Sequence, residues 1–163
     1  MPEKPNNNPF YAQGLYFSCT RCSACCRYET GYVYLSQKDV SLLLAALCIC
    51  EEEFLKVYCR WSPIENGISR LSLKEKSNYD CIFWTDGLRS NTGEGGCLVY
   101  EARPLQCRAF PFWSSVINTK KSWKLTGKSC PGMNRGILHP RESIEKWLAL
   151  RQNEPIIAKS IKI

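Results

Sequence analysis

Residues 19–26 read Cys19-Thr20-Arg21-Cys22-Ser23-Ala24-Cys25-Cys26, and the kind of fold this chain adopts turns on what those four thiols need. Two residues between cysteines let the backbone fold back so that two thiolates converge on one ion. The C-x2-C-x2-C spacing is also that of the first three ligands in a bacterial ferredoxin run, which a remote Cys-Pro completes. Cys130-Pro131 is such a pair here. Vicinal Cys25 and Cys26 point in different directions in most backbone conformations, which suits two sites, or one site and a core position. The other thiols come singly: Cys48, Cys50 and Cys59, then Cys81, Cys97, Cys107 and Cys130.

Composition decides how to read so many thiols. The chain has 163 residues, with 11 cysteines against a single histidine. That density lies below the roughly 8–10% of a short secreted disulfide scaffold. Hydrophobic residues at 44% and charged residues at 23% are those of an ordinary folded chain, which excludes disordered, collagen-like and coiled-coil classes. Residues 1–14 contain neither an apolar core nor a small-residue cleavage site, so no secretory leader is expected. The longest apolar run, Leu42 to Cys50, is closed by Glu51, Glu52 and Glu53 and is shorter than the roughly 18 residues of a membrane span. A soluble, cytoplasmic protein with no membrane partner is the expectation. In a reducing compartment, clustered cysteines serve as metal ligands or catalytic thiols rather than disulfides, and their odd number argues against complete pairing.

Working outward, residues 1–14 read as a flexible N-terminal lead, 15–152 as one cysteine-cluster domain and 153–163 as a loose C-terminal tail. Tyr32 to Leu35 has strand composition. Ser36 with Asp39 three residues on makes a capping-box variant, predicting a helix over 37–47, and Glu51 to Cys59 predicts a second, short helix. Ile68 to Lys74 alternates as a half-buried strand does. Cys81 to Trp84 and Cys97 to Tyr100 read as two further strands, joined by a loop over 85–96 that contains four glycines. Pro104 starts a helical turn reaching about Phe110, and Pro140 starts a last helix with Ile144, Trp147, Leu148 and Arg151 at helical spacing. The predicted class is α+β: a small, irregular, metal-stapled domain with short antiparallel strands and three to four helices.

Taken in order, Cys19-x2-Cys22-x2-Cys25-Cys26, Cys81-Ile82-Phe83, Gly96-Cys97-Leu98-Val99-Tyr100-Glu101, Arg103-Pro104, Cys107-Arg108, Phe110-Pro111-Phe112 and Cys130-Pro131-Gly132 resemble the CxxCxxCC cysteine-cluster family. That family is described as zinc- or iron-chelating and is related to flagellin lysine N-methylase. The resemblance runs from about Cys19 to Trp147 and implies eight metal-binding cysteines: Cys19, Cys22, Cys25, Cys26, Cys81, Cys97, Cys107 and Cys130. Cys48, Cys50 and Cys59 fall outside its pattern and are expected in the core, where free cysteine packs as a small hydrophobe.

Soft thiolates suit zinc, iron and iron–sulfur clusters alike. The triple with a distant Cys-Pro favours an iron–sulfur cluster or iron, with zinc the close alternative. His139 is expected at the surface or as a cap. Arg103 and Arg108 either donate hydrogen bonds to sulfur or pair with acids such as Glu101. Phe110 to Trp113 read as core around the site. Gly93 to Gly96 lacks the context of a nucleotide-binding loop, and the Lys120–Lys124 stretch reads as a solvated face, so no nucleic-acid partner is expected. The leading function is a metal-binding module. The alternatives are a methyltransferase, resting on analogy with the flagellin enzyme, and a thiol redox protein, for which Cys19, Cys22 and Cys25 supply C-x-x-C pairs without the βαβ unit such a role needs.

Overall fold

Ser36 stops the preceding extended chain and starts helix α1 (Gln37–Leu47). Its hydroxyl accepts from the Asp39 backbone N–H at 3.2 Å, while the Asp39 carboxylate accepts from the Ser36 N–H and hydroxyl at 2.9 and 2.8 Å. The predicted capping box is therefore formed, and it is buried. The computed structural model describes residues 8–89 and 94–160. These form two compact units: one comprises the chain up to Cys22 with Pro111–Leu150, the other Ser23–Phe110 with the chain from Arg151.

In the second unit, α1 is followed by α2 (Glu51–Tyr58), whose three leading glutamates suit the positive end of a helix. The chain then turns into β2 (Cys59–Pro63), after β1 (Leu15–Phe17) in the first unit, and pairs antiparallel with β3 (Ile68–Leu73). The strand forms as read, and Leu71 and Leu73 are buried against Val40, Leu43, Phe54 and Phe83. Burying each of these leucines contributes about 1.5–3 kcal/mol. Burial does not alternate, however: Ser69 and Ser72 are buried too and Ile68 is exposed, because β3 is the central strand of its sheet. The segment 33–36 makes only isolated bridges, Tyr34 to Ser72 and Ser36 to Ile156, so the strand expected at Tyr32–Leu35 is an extended crossing rather than a ladder.

The hairpin departs further from expectation. Strand β4 (Trp84–Arg89) pairs antiparallel with β5 (Glu94–Cys97), so pairing occupies much of the stretch read as loop, and 90–93 lie outside the described residues. One of the glycines there has a packing reason. A Cβ on Gly95 would sit 2.1 Å from the Trp84 indole, so only glycine lets the ring lie across the neighbouring strand. Beyond Cys97 the chain turns into a 3-10 segment at Tyr100–Ala102, correcting the strand expected at Cys97–Tyr100. Helix α3 (Leu105–Ala109) follows Pro104 as anticipated. The tail supplies a strand that no sequence signal announced: β7 (Ala158–Ser160) pairs with β3, giving the order β2-β3-β7.

In the first unit, β1 pairs antiparallel with β6 (Ile137–His139). Helices α4 (Ser114–Ile117) and α5 (Lys120–Thr126) follow, and α6 (Arg141–Asn153) starts after Pro140. The core holds Phe17, Phe112, Val116, Ile117, Trp123, Met133 and Ile144. Phe112 stacks on Trp123 at 6.3 Å between ring centroids and meets Phe17 edge-on at 6.1 Å. In the Lys120–Lys124 stretch, the lysines are exposed while Trp123 is buried, as a solvated helix face requires. His139 lies in β6 rather than at a helix cap, and its Nε2 donates to the Phe17 carbonyl at 3.0 Å. The class is α+β, built of short antiparallel strands in small sheets and of helices, two of which are single turns.

Candidate metal centre

Five of the eight cysteines singled out by sequence belong to the second unit, and the backbone brings them together. Cys25 and Cys26 sit in one 3-10 turn, Ala24–Cys26, with their Sγ atoms 3.7 Å apart. The Cys81 N–H donates to the Cys26 carbonyl at 2.8 Å, joining that turn to the segment that leads into β4. Cys97, at the end of β5, is the cross-strand partner of Trp84. Cys107 lies in α3, which is docked on α1 by a buried hydrogen bond of 2.6 Å from the Leu105 N–H to the Asp39 carboxylate.

An ion pair reinforces the junction. Arg27, which follows Cys26, donates from Nε to Asp80, which precedes Cys81, at 2.9 Å. The guanidinium also lies 3.5 Å from the centroid of the Trp84 ring. Asp80 is buried and accepts a further bond from the Asn78 amide at 2.9 Å. The Arg27 guanidinium holds the Asp80 carboxyl below its usual value. Sequence reasoning missed this pair. The available signal was a cation and an anion, each adjacent to a cysteine of the family pattern.

Electrostatics couples the five thiols. Burial pushes Cys81 up to about 11, with Cys97 and Cys25 adding repulsion. Burial also raises Cys97 and, more strongly, Cys107, which is opposed in addition by Cys81, Cys25 and Cys97. Cys25 is drawn down to about 7, chiefly by a hydrogen bond from Cys26, whose own thiol is pushed far up by donating it. Arg103 favours the thiolate form of Cys25, Cys97 and Cys107. Its Nε donates to the Tyr100 carbonyl at 2.7 Å, and Arg108 Nε donates to the Arg103 carbonyl at 2.9 Å. Arg103 therefore acts on the thiols through its field, while Arg108 braces the Arg103 backbone.

Backbone amides supply a second stabilising element. The Phe83 backbone favours the thiolate form of Cys81, and the Val99 backbone does the same for Cys97. In the first unit, the Arg21 N–H approaches the Cys19 sulfur at 3.4 Å. Each of these amides lies two residues past its cysteine, and at Cys81 and Cys97 burial outweighs them, so both thiols stay raised.

Cys19, Cys22 and Cys130 belong to the first unit. Phe17 bridges to Met133 and the Ser18 N–H donates to the Gly132 carbonyl at 3.1 Å, so the stretches carrying Cys19 and Cys130 run side by side. Gly132 of the Cys-Pro-Gly triplet is required by that approach, because a Cβ there would meet the Ser18 carbonyl oxygen at 2.2 Å.

Of the thiols outside the family pattern, Cys59 is buried as expected and is pushed up to about 12 by burial. Cys48 and Cys50 are exposed, correcting the core expectation. Helix α1 ends at Leu47, and Ile49 rather than either cysteine turns inward to pack on the core. Phe112, read as core, is buried in the first unit, which also holds Cys19, Cys22 and Cys130.

Among the described residues no three His, Cys, Asp or Glu side chains already stand at ligand spacing, so the five thiols are neighbours rather than a finished cage. Their chemistry fits the soft cations that thiolates select, with amide donors and an arginine available to offset thiolate charge. No helix among the described residues is long and apolar enough to cross a membrane.

The comparisons with known proteins agree with this chemistry. An uncharacterized protein of Methanocaldococcus jannaschii is 34% identical over 120 residues, covering 74% of this chain. The match spans 58% of that relative's own length. No solved structure matches. The family model described as "Putative zinc- or iron-chelating domain" matches residues 18–131, from just before the first cysteine of the cluster to the Cys130-Pro131 pair, and the chain belongs to this CxxCxxCC family.

Proposed function

We propose that the chain is a metal-binding protein whose principal centre draws on Cys25, Cys26, Cys81, Cys97 and Cys107, with Cys19, Cys22 and Cys130 as further donors in the other unit. The observation that carries this reading is the gathering of five thiols from four separate stretches of chain, three of them pushed up by burial and by one another. Such thiols keep their protons at neutral pH until a cation takes the protons' place. A bound metal would supply that positive charge and tie the four stretches together. Arg27 and Asp80 keep the Cys26 and Cys81 segments in register, and Arg103 lowers the cost of the excess negative charge that several thiolates on one ion create.

The five thiols suit iron, an iron–sulfur cluster and zinc alike. The ferredoxin-like run read from the sequence is the sole ground for taking an iron–sulfur cluster or iron first, with zinc the close alternative. The deciding experiment is metal and acid-labile sulfide content, with a visible spectrum, on protein purified without oxygen. Iron with sulfide and a broad visible absorption is the expected result. Zinc without colour would replace the cluster by a structural or chelating centre, and a fold that survives with neither metal retained would overturn the proposal.

A thiol redox role has one observation in its favour, the contact in which Cys26 donates to Cys25 and draws its thiol down to about 7. Protection of Cys25 from alkylation in native metal-loaded protein would rule that role out.

A further inference from the structure

Two thiols stand outside everything assigned above. Cys48 ends α1 in the left-handed conformation, φ 55° and ψ 42°, and Cys50 occupies the N-cap position of α2 in extended conformation. Both are exposed, although cysteine is among the residue types most often buried. Ile49 between them packs against the core, so the two thiols flank an inward anchor in a turn held at both ends by helices. Neither sulfur is committed to a strong internal contact. The Cys48 thiol lies 3.6 Å from the Ala45 carbonyl, and the Cys50 side chain makes no capping hydrogen bond.

We propose that Cys48 and Cys50 form a surface site for a soft monovalent cation, Cu(I), separate from the centre described above. The donor set selects the ion. Thiolates discriminate against hard cations, and a tetrahedral zinc or iron site needs four ligands, whereas Cu(I) is satisfied by two sulfurs. Binding transfers no electrons: each thiol gives its proton to solvent, two S–Cu bonds form, and Cu⁺ with two thiols becomes a bis-thiolate of charge −1 with release of two protons. Glu51, Glu52 and Glu53 at the start of α2 draw cations toward the turn. An exposed two-coordinate site holds its ion where a third thiol, from outside, can attack it, so the arrangement suits exchange of Cu(I) with a thiol-bearing partner rather than storage.

The test compares the full-length protein, with its resident metal, to the Cys48→Ser/Cys50→Ser double variant and to each single variant. Cu(I) is added without oxygen in competition with a bathocuproine chelator, and bound copper is counted by native mass spectrometry. The wild type is expected to retain one copper more than any of the three variants, with resident metal unchanged. Iodoacetamide labelling of Cys48 and Cys50 is expected to be suppressed by Cu(I) in the wild type. Equal copper in wild type and double variant, or undiminished labelling of both cysteines with copper present, would overturn the proposal. Since both side chains are exposed, the serine variants keep the fold, and unchanged unfolding midpoints verify this independently of copper.

Discussion

Replacing Asp39 by alanine should separate what caps a helix from what positions a ligand. The Asp39 carboxylate does both: one oxygen closes the capping box with Ser36, and the other accepts the Leu105 N–H at the start of the helix that carries Cys107. Losing the cap costs about 1 kcal/mol. Leaving the Leu105 N–H without an acceptor in a buried setting adds about 1–3 kcal/mol. Asp39→Ala should therefore lower stability by about 2–4 kcal/mol. Ser36→Ala removes only the capping side and should lose about 1 kcal/mol. Asp39→Asn should fall between them, because one amide oxygen can serve Leu105 or Ser36 but not both. Urea unfolding followed by tryptophan fluorescence, read at constant slope, measures all three. A chelator competition measures the second consequence: Cys107 loses its register in Asp39→Ala, so metal leaves several-fold faster than from Ser36→Ala. If the two alanine variants lose stability equally, the Leu105 contact contributes nothing and the reasoning fails.

Three further outcomes follow from individual contacts. Glu75 pays desolvation, which raises its carboxyl, but hydrogen bonds from the Gly31 N–H, the Thr30 hydroxyl and Arg60 outweigh this and hold it below its usual value. Its contribution is thus present above the ordinary carboxyl value and disappears as pH falls through the lower folded one; Glu75→Gln should be less stable than wild type at neutral pH and converge with it in acid, as urea titrations from pH 7 to 3 would show. Cys59, buried and pushed up to about 12, should resist iodoacetamide at pH 8 in the folded protein while Cys48 and Cys50 react, a difference that peptide mapping reads directly. Gly132→Ala must displace the Ser18 backbone, since its Cβ would lie 2.2 Å from that carbonyl oxygen. Overpacking of this kind costs about 1–3 kcal/mol, measurable as a lowered urea midpoint.

What the sequence made legible is what depends on neighbours within a turn or two. The Ser36–Asp39 box, the existence of strand β3 and the start of α3 after Pro104 rest on short-range patterns, and each is present in the fold. Strands β1, β6 and β7 have three residues each and exist only because a partner lies alongside, so periodicity had nothing to detect. The glycines before Cys97 misled for a related reason. Read locally they mark a loop, yet Gly95 is in a strand because the Trp84 indole lies where a side chain would be. Cys48 and Cys50 misled because an apolar run was continued past the end of its helix, and Ile49 alone takes the inward position.

The thiols show the same division between local and distant information. Spacing suggests separate places for Cys25 and Cys26, whose sulfurs lie 3.7 Å apart, and it cannot say that Cys81 reaches them through a backbone bond to the Cys26 carbonyl, or that Arg27 and Asp80 clamp the same junction. Those contacts assemble the cluster while most of its thiols stay neutral, before the metal we propose would arrive. Burial keeps Cys81, Cys97 and Cys107 protonated, so the unit folds without confining several anions in a poorly solvated space. The Phe83 and Val99 backbone groups favour the thiolate, so in the proposed centre their contribution would grow on metal binding. A cluster designed for open thiol chemistry would need the opposite balance, with several thiols held low and exposed. Only Cys25 is lowered here, and its partner in that shift is another member of the same cluster. The electrostatic arrangement therefore favours exchanging protons for a cation over presenting a free nucleophile.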